Sequence, residues 1–302
     1  MGKRKKGSME GWLSTAWESH AVSEWSHLLG DCASYEACPL GEGLAVNIDG
    51  YSVEESLLPG LLWSVWGWRS LTACLGDIYA LGAEPVAAGF SVGLGDAWSA
   101  WEVLQGFLAA TRYYGVEPVK SDSNSPGGGR GWIDVYCLGR LLAEPIPNRA
   151  PPGDYLVVQL GYSGYGLLEK RILEGWEPPP MLLPLLKRKL PTRIPLILAE
   201  CGASAARDNS DGYLYTLELL AGSSRLDIQL TRPPLVDPRL LSLIRDQWGA
   251  LESWEDYNLL LLAREVEAEC LVSRAREVGV PVAVVGRAVP GGGGVYRGLE
   301  HD

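Results

Sequence analysis

The sequence predicts an α+β protein of two domains. Three observations carry that reading. Helical and strand-like segments are interspersed along the chain, a proline-rich stretch divides it into unequal parts, and 302 residues suffice for two cores. Met1 to Glu10 carries Lys3, Arg4, Lys5 and Lys6 with no apolar stretch behind them, so it reads as a solvated basic tail, not a secretory signal. Trp12 to Leu29 has apolar residues at mixed helical spacing and reads as one or two short helices ending at Gly30. Leu44 to Ile48 is a short apolar run closed by the turn signal Asp49-Gly50. Leu61 to Leu81, nearly uncharged and free of proline, predicts a buried helix stopped by Gly82, with Pro85 beyond. Val86 to Leu94 reads as a strand, and Ala97 to Tyr114 as an amphipathic helix closing at Gly115. Val116 to Lys120 is a candidate strand before a loop from Ser121 to Gly129, and Trp132 to Leu142 looks like its partner. Glu144 to Gly153 holds four prolines in ten residues and marks the boundary. Beyond it, Tyr155 to Leu160 and Val280 to Val289 read as strands and Leu214 to Ala221 as a helix.

Composition removes several classes of function. A formal net charge of −11 argues against a general nucleic-acid binder. Gly and Pro together stay below the roughly 25–30% that marks low-complexity disorder. The charge-free stretch from Ser56 to Trp68 contains Pro59, Gly60 and Gly67 and is too short to span a bilayer. The six cysteines (32, 38, 74, 137, 201 and 270) form no CxxC pair, and three histidines are too few to complete a zinc set. Reduced, mostly buried thiols in a cytoplasmic protein are the expectation.

The usual catalytic motifs are absent: no GxxxxGKS phosphate loop, no GxGxxG after a strand, no GxSxG elbow and no HExxH. The glycines from Gly291 to Gly294 have no helix after them and read as a surface loop. What remains is carboxylates where elements break: Asp31, Asp49, Asp77, Asp122, Asp208 and Asp211. Each alone reads as a turn or cap residue, since Asp bonds its own backbone there. Together they allow a second reading, in which their oxygens hold Mg²⁺, a hard cation suited to carboxylates and phosphates. From composition alone the turn reading is favoured.

The order of these acids points further. Gly30-Asp31-Cys32-Ala33 resembles a GDDA motif, and Asn47-Ile48-Asp49 a strand ending in TTD. The run from Gly67-Trp68-Arg69 through Gly76-Asp77-Ile78 to Gly82-Ala83-Glu84-Pro85 resembles GWKxLxxNxSDxxAxGxxP. Lys120-Ser121-Asp122 loosely matches GG(D/N), Arg149 to Asp154 matches R-x-GA-xx-GD, and Leu190-Pro191-Thr192-Arg193 an RPxxR element. Asp208-Asn209-Ser210-Asp211-Gly212-Tyr213 corresponds to DISDGL, Ser253 to Leu259 to GGEDYEL, and Val285-Gly286-Arg287 to a late IGR strand end. In this ordered set, spanning about residues 28 to 288, the sequence resembles thiamine-monophosphate kinase, of the superfamily that includes aminoimidazole-ribonucleotide synthetase.

The resemblance implies a two-domain fold whose N-terminal domain (27–147, after a tail and helix over 1–26) pairs into a barrel across a homodimer. An α/β C-terminal domain would span 148–302, with ATP between the domains. Mg²⁺ would be held by Asp31, Asp49, Asp77, Asp122, Asp208 and Asp211, with Asp208 and Asp211 the catalytic pair. Ser121, Asp122, Arg149 and Ser210 would contact the nucleotide, and Glu255 would be the substrate-side acid. The implied reaction is in-line transfer of the γ-phosphoryl of ATP to thiamine monophosphate. That acceptor is already ionised and needs no general base. The partners would be ATP and a small phosphorylated acceptor, with neither nucleic acid nor membrane.

Some positions depart from the pattern. Cys32 replaces the second acid of GDD, and Asn47 and Ile48 replace both threonines of TTD. A substrate-side histidine falls at about Ser56, Ser253-Trp254 replaces GG, and the aromatic near the terminus has only Tyr296 as a candidate. The metal-side acids are retained while the substrate side has changed. Two other readings therefore stay open: a superfamily relative with a different acceptor, such as an aminoimidazole-ribonucleotide synthetase-like enzyme, and a non-catalytic nucleotide-binding protein.

Overall fold

The computed structural model describes residues 30–244 and 246–298. The basic tail and the helix expected over Trp12 to Leu29 lie outside them. Two sheets organise the chain. The first contains β1 (Cys38–Leu40), β2 (Leu44–Ser52), β3 (Ala83–Leu94), β4 (Glu117–Asn124) and β5 (Gly131–Leu141) in the order β1-β2-β5-β3-β4. All its pairings are antiparallel except β3 with β4. Between its strands run α1 (Val53–Ser56), α2 (Trp63–Ala80) and α3 (Ala97–Tyr114). The second sheet is built from β6 (Tyr155–Leu160), β7 (Ala205–Asp208), β8 (Leu226–Leu230), β9 (Leu259–Ala263), β10 (Val282–Pro290) and β11 (Val295–Arg297). Its order is β11-β8-β10-β6-β9-β7, with only β11 and β8 parallel. The helices α4 (Tyr165–Leu173), α5 (Ile194–Cys201), α6 (Tyr213–Ser224) and α7 (Glu265–Glu277) connect these strands. The α+β class is as expected.

The uncharged run becomes α2 because nearly every side of it is covered. Trp66, Leu71, Cys74, Leu75, Ile78 and Tyr79 are all within 1% of full burial. Its amphipathic neighbour α3 begins with Asp96 accepting a hydrogen bond from the Ser99 N–H (2.9 Å) and ends at Gly115 with φ 70°. Close approach of the two helices rests on glycine. A methyl group at Gly106 would sit 1.8 Å from the Ser64 carbonyl oxygen, and one at Gly67 2.2 Å from that of Val103. The second sheet has an all-apolar centre, since every residue of β9 is buried.

Three details differ from the sequence reading. Strand β3 starts at Ala83, three residues early, and accommodates Pro85 beside a register shift opposite β5. Strand β4 continues to Asn124, so Ser121 and Asp122 lie in an exposed edge strand instead of a loop. The expectation of six reduced thiols fails for four of them: Cys32 pairs with Cys38 and Cys201 with Cys270. The first pair joins residues six apart in sequence; the second joins α5 to α7. Cys74 and Cys137 are free and buried. Among the described residues no helix is long and apolar enough to cross a membrane.

The α2–α3 contact generates a stability prediction. Gly106→Ala meets backbone atoms that cannot swing aside, so it should lower unfolding free energy by at least about 1–3 kcal/mol. Denaturant unfolding of the full chain measures this. An unchanged midpoint would show that the helices are not packed this closely.

Candidate active site

An acidic group forms where α2 of the first half meets β7 of the second. Gly76 makes the approach possible, because a methyl group there would lie 2.4 Å from the Asp208 Oδ2. Asp77 is the next residue on α2, and Asp208 ends β7 with only 4% exposure. Glu36, in the loop before β1, completes a trio whose ligand oxygens all lie within 4.8 Å of one another. Asn47 on β2 donates to Asp77 Oδ2 (2.6 Å), and the Ser210 hydroxyl donates to Asp208 Oδ1 (3.3 Å). Asn47 thus supplies a donor where a TTD motif would carry a hydroxyl. Asp49 on β2 and Asp211 before α6 line the same cavity of about 530 Å³, with Glu36, Asp77 and Ser210.

The rest of the cavity lining has a different character. Tyr51, Trp254, Glu255 and Tyr257 line it, and the hydroxyls of Tyr51 and Tyr257 meet. Glu255 pairs with Arg69, a fully buried guanidinium on α2 that also reaches Glu169 of α4 at 3.1 Å. Arg188 closes the grid, pairing with Glu169 and donating from Nε to the Glu255 carbonyl (2.9 Å). Glu255 and Tyr257 both adopt left-handed backbone, with φ 49° and 56°. Asp256 between them holds that turn, accepting from the Ser163 and Ser253 hydroxyls (2.6 and 2.9 Å) and the Tyr165 N–H (2.8 Å). Two non-glycine residues at positive φ cost energy, and the Asp256 bonds are what over-determine the turn.

Burial and mutual repulsion push these carboxyls upward. Burial raises Asp77 and Asp208 well above the usual carboxylate range, and neighbouring acids, Asp208 and Glu36 respectively, add to it. Asp49 is pushed up to about 6, first by burial, with Asp211 and Asp134 adding and the Gly50 N–H opposing. Glu36 is raised by burial against the pull of Arg207, its ion-pair partner at 2.8 Å. The donor set fits a hard divalent cation: carboxylates only, convergent, and with no side chain at position 76 to block Asp208.

Of the residues singled out in the sequence, Asp49, Asp77, Asp208, Ser210, Asp211 and Glu255 come together here. Asp31 falls in a 3₁₀ turn (Gly30–Ser34) ahead of Glu36, and its side chain lies outside what is described. The others are placed elsewhere. Ser121 and Asp122 sit on β4, three strands across the sheet from β2, outside the cavity. Arg149 is exposed and donates to the Ser34 hydroxyl (3.3 Å), which fastens the loop leading to Glu36. Ser56 is buried, donating to the Ser52 carbonyl and accepting from the Trp66 indole (2.7 Å each), a satisfied core residue. Tyr296 is exposed on the outermost strand β11. Sequence reasoning missed Glu36, Tyr51, Arg69, Glu169, Arg188 and Tyr257. A basic residue inside a helix whose only other charge is Asp77 was the available signal for Arg69.

Residues 29–141 match the family described as AIR synthase related protein, N-terminal domain. Within that class the chain is similar to thiamine-monophosphate kinases. One, from Methanopyrus kandleri, is 28% identical over 239 residues, covering 76% of this chain and 77% of the relative. Another, from Pyrobaculum calidifontis, is 35% identical over 182 residues, 57% of each chain. Among solved structures, AaThiL complexed with AMPPCP and TMP aligns with a TM-score of 0.76 at 21% identity. It covers 93% of this chain and 92% of that one, and the likeness establishes the fold.

The raised acids predict an unusual stability profile. A carboxyl whose folded pKa lies above its unfolded value binds more protons when folded, so stability falls as pH rises between the two values. For Asp49 that window is about 4 to 6. The metal-free protein should therefore melt lower at pH 7 than at pH 5.5, and added Mg²⁺ should reverse the loss at pH 7. Calorimetric melts with and without chelator check this. A melting temperature indifferent to Mg²⁺ at pH 7 would contradict it.

Proposed function

We propose that this chain is an ATP-dependent phosphotransferase that moves the γ-phosphoryl of Mg–ATP to thiamine monophosphate, giving thiamine diphosphate. The observation that carries the reading is the convergence of Asp49, Asp77 and Asp211 in one cavity with Tyr51, Trp254 and Glu255, Asp208 standing beside Asp77. The relatives named thiamine-monophosphate kinase, and the aligned AaThiL complexed with AMPPCP and TMP, support it. The proposed division of 27–147 and 148–302 falls between the two sheets. Pairing of two chains, and a cytoplasmic location, belong to the same proposal. In a homodimer Ser121 and Asp122 on the free edge of the first sheet would be available to a partner's nucleotide.

Bound Mg²⁺ would neutralise the polyphosphate and bring its oxygens to the acidic end. The side chains do the positioning. Asp77 and Asp208 are fixed by their elements and by Asn47 and Ser210, so the cation sites need no rearrangement. Glu255, held by Arg69 and Arg188, stands at the other end to orient the acceptor. The incoming phosphate oxygen is already an anion at neutral pH, so the transfer needs no general base.

Ser56 and Tyr296 favour a second reading at the acceptor end alone. Neither lines the cavity, so the chain recognises its acceptor by other groups, and a superfamily relative with a different acceptor remains the alternative. Incubation with ATP, Mg²⁺ and thiamine monophosphate, with thiamine diphosphate separated chromatographically, decides between them. Product formed in step with ADP is expected. ATP bound but no thiamine diphosphate made would reject the acceptor assignment.

Asp77→Asn and Asp211→Asn should each lower turnover about a hundredfold or more, by analogy with removing one charge-stabilising group from an active site. Both should stay folded, because each removes repulsion from a crowded acidic group. Steady-state rates beside thermal melts test the pair, and near-normal turnover in either variant removes that residue from the metal set.

A further inference from the structure

We propose that the Trp254 indole is the face on which a positively charged ring of the acceptor stacks, so that Trp254 selects a cationic acceptor. The inference rests on the reading that the acceptor is thiamine monophosphate, whose thiazolium ring carries a fixed positive charge. Trp254 lines the cavity beside Tyr51, Glu255 and Tyr257. Those neighbours are already committed. The Glu255 carboxylate is paired with the buried Arg69, so its charge is largely answered before a ligand arrives. The Tyr51 and Tyr257 hydroxyls meet each other, and Tyr257 is only 1% exposed, which leaves its ring little open face. Trp254, by contrast, is half-buried, and among the described residues its indole belongs to none of the three apolar clusters. It is a large aromatic surface at the cavity wall that the cores do not use. Of the aromatic side chains, an indole attracts a cation to its face most strongly.

The backbone carrying that indole is held on both sides. The Ser253 N–H donates to the Ala250 carbonyl (3.1 Å), and the Ser253 carbonyl accepts from the Tyr213 N–H (2.9 Å). The Glu255 N–H donates to the Ser210 carbonyl at 2.6 Å. Gly166 in α4 lies so close that a methyl group there would stand 2.4 Å from both the nitrogen and the carbonyl oxygen of Trp254. The Ser210 hydroxyl in turn donates to Asp208 (3.3 Å), so one short run of bonds links this turn to the acidic group. A single cavity of about 530 Å³ thus offers carboxylates for metal-borne phosphate and an open indole for a ring.

The test is calorimetric binding to the full chain with Mg²⁺ and AMPPCP, comparing wild type, Trp254→Phe and Trp254→Leu. Trp254→Leu keeps apolar bulk without a π face, and thermal melts run alongside check folding. Trp254→Leu should bind thiamine monophosphate about tenfold or more weakly, with Trp254→Phe in between and AMPPCP affinity unchanged in both. Two smaller probes isolate the ring charge: the neutral thiazole phosphate and its N-methylthiazolium counterpart. Wild type should favour the charged ring by about threefold or more, and Trp254→Leu should lose that preference. Equal thiamine monophosphate affinity in all three proteins, or a charge preference that does not depend on Trp254, would overturn the assignment while leaving the acceptor reading intact. AMPPCP weakened as much as thiamine monophosphate would also overturn it, giving the indole to the nucleotide. Wild type that binds AMPPCP but no thiamine monophosphate would reject the acceptor reading, and this inference with it.

Discussion

Carboxylates buried side by side are the constraint on which the rest of this structure depends. Asp77 and Asp208 arrive from different halves of the chain and meet at Gly76, with Glu36 alongside. Removing ions of one sign from water costs several kcal/mol each, even before they repel one another. The chain offsets little of this itself. Arg207 answers Glu36, whereas the buried Arg69 and Arg188 are already committed to Glu169 and Glu255. In the metal-free chain the raised carboxyls relieve the charge by holding protons; under the proposed function a hard divalent cation carrying a polyphosphate would supply both the charge and the oxygens.

That arrangement explains how two sheets, joined by a continuous core that runs through α2, act as one site. Helix α2 is apolar enough to lie buried between them, and it carries one charged group to each end of the cavity. Under the proposed function Arg69, through Glu255, would fix the acceptor side and Asp77 would contribute to the metal side. The turn around Asp256 plays the matching part from the second sheet. It holds Glu255 and Tyr257 in left-handed backbone by bonds to Ser163, Tyr165 and Ser253. Strain at that turn and crowding at the acids share a purpose: the groups stand in place before substrates arrive.

Much of this was legible in the residues. The Ala97–Tyr114 helix was readable from its period and from Gly115, and the Leu61–Leu81 helix from its lack of charge. The ordered motifs located Asp49, Asp77, Asp208 and Asp211. Local signals failed where tertiary pairing decided. Ser121 and Asp122 look like turn residues, yet pairing with β3 draws them into a strand. Pro85 looks like a strand breaker and is absorbed beside a register shift. Cysteine spacing alone did not reveal that Cys201 and Cys270 sit on packed helices. Glu36 was invisible because a loop fold, not a motif, brings it beside Asp77 and Asp208. Ser56 was aligned with a substrate-side position, but its hydroxyl is spent on Trp66 inside the core.

The central claim is spatial, and a crystal grown with Mn²⁺ and AMPPCP tests it most directly. Anomalous scattering locates manganese without reference to any assumed ligand. The account predicts manganese coordinated jointly by Asp77 and Asp208, in contact with the analogue's phosphate oxygens. An ordered nucleotide bound elsewhere, or manganese absent from between those two side chains, would contradict it.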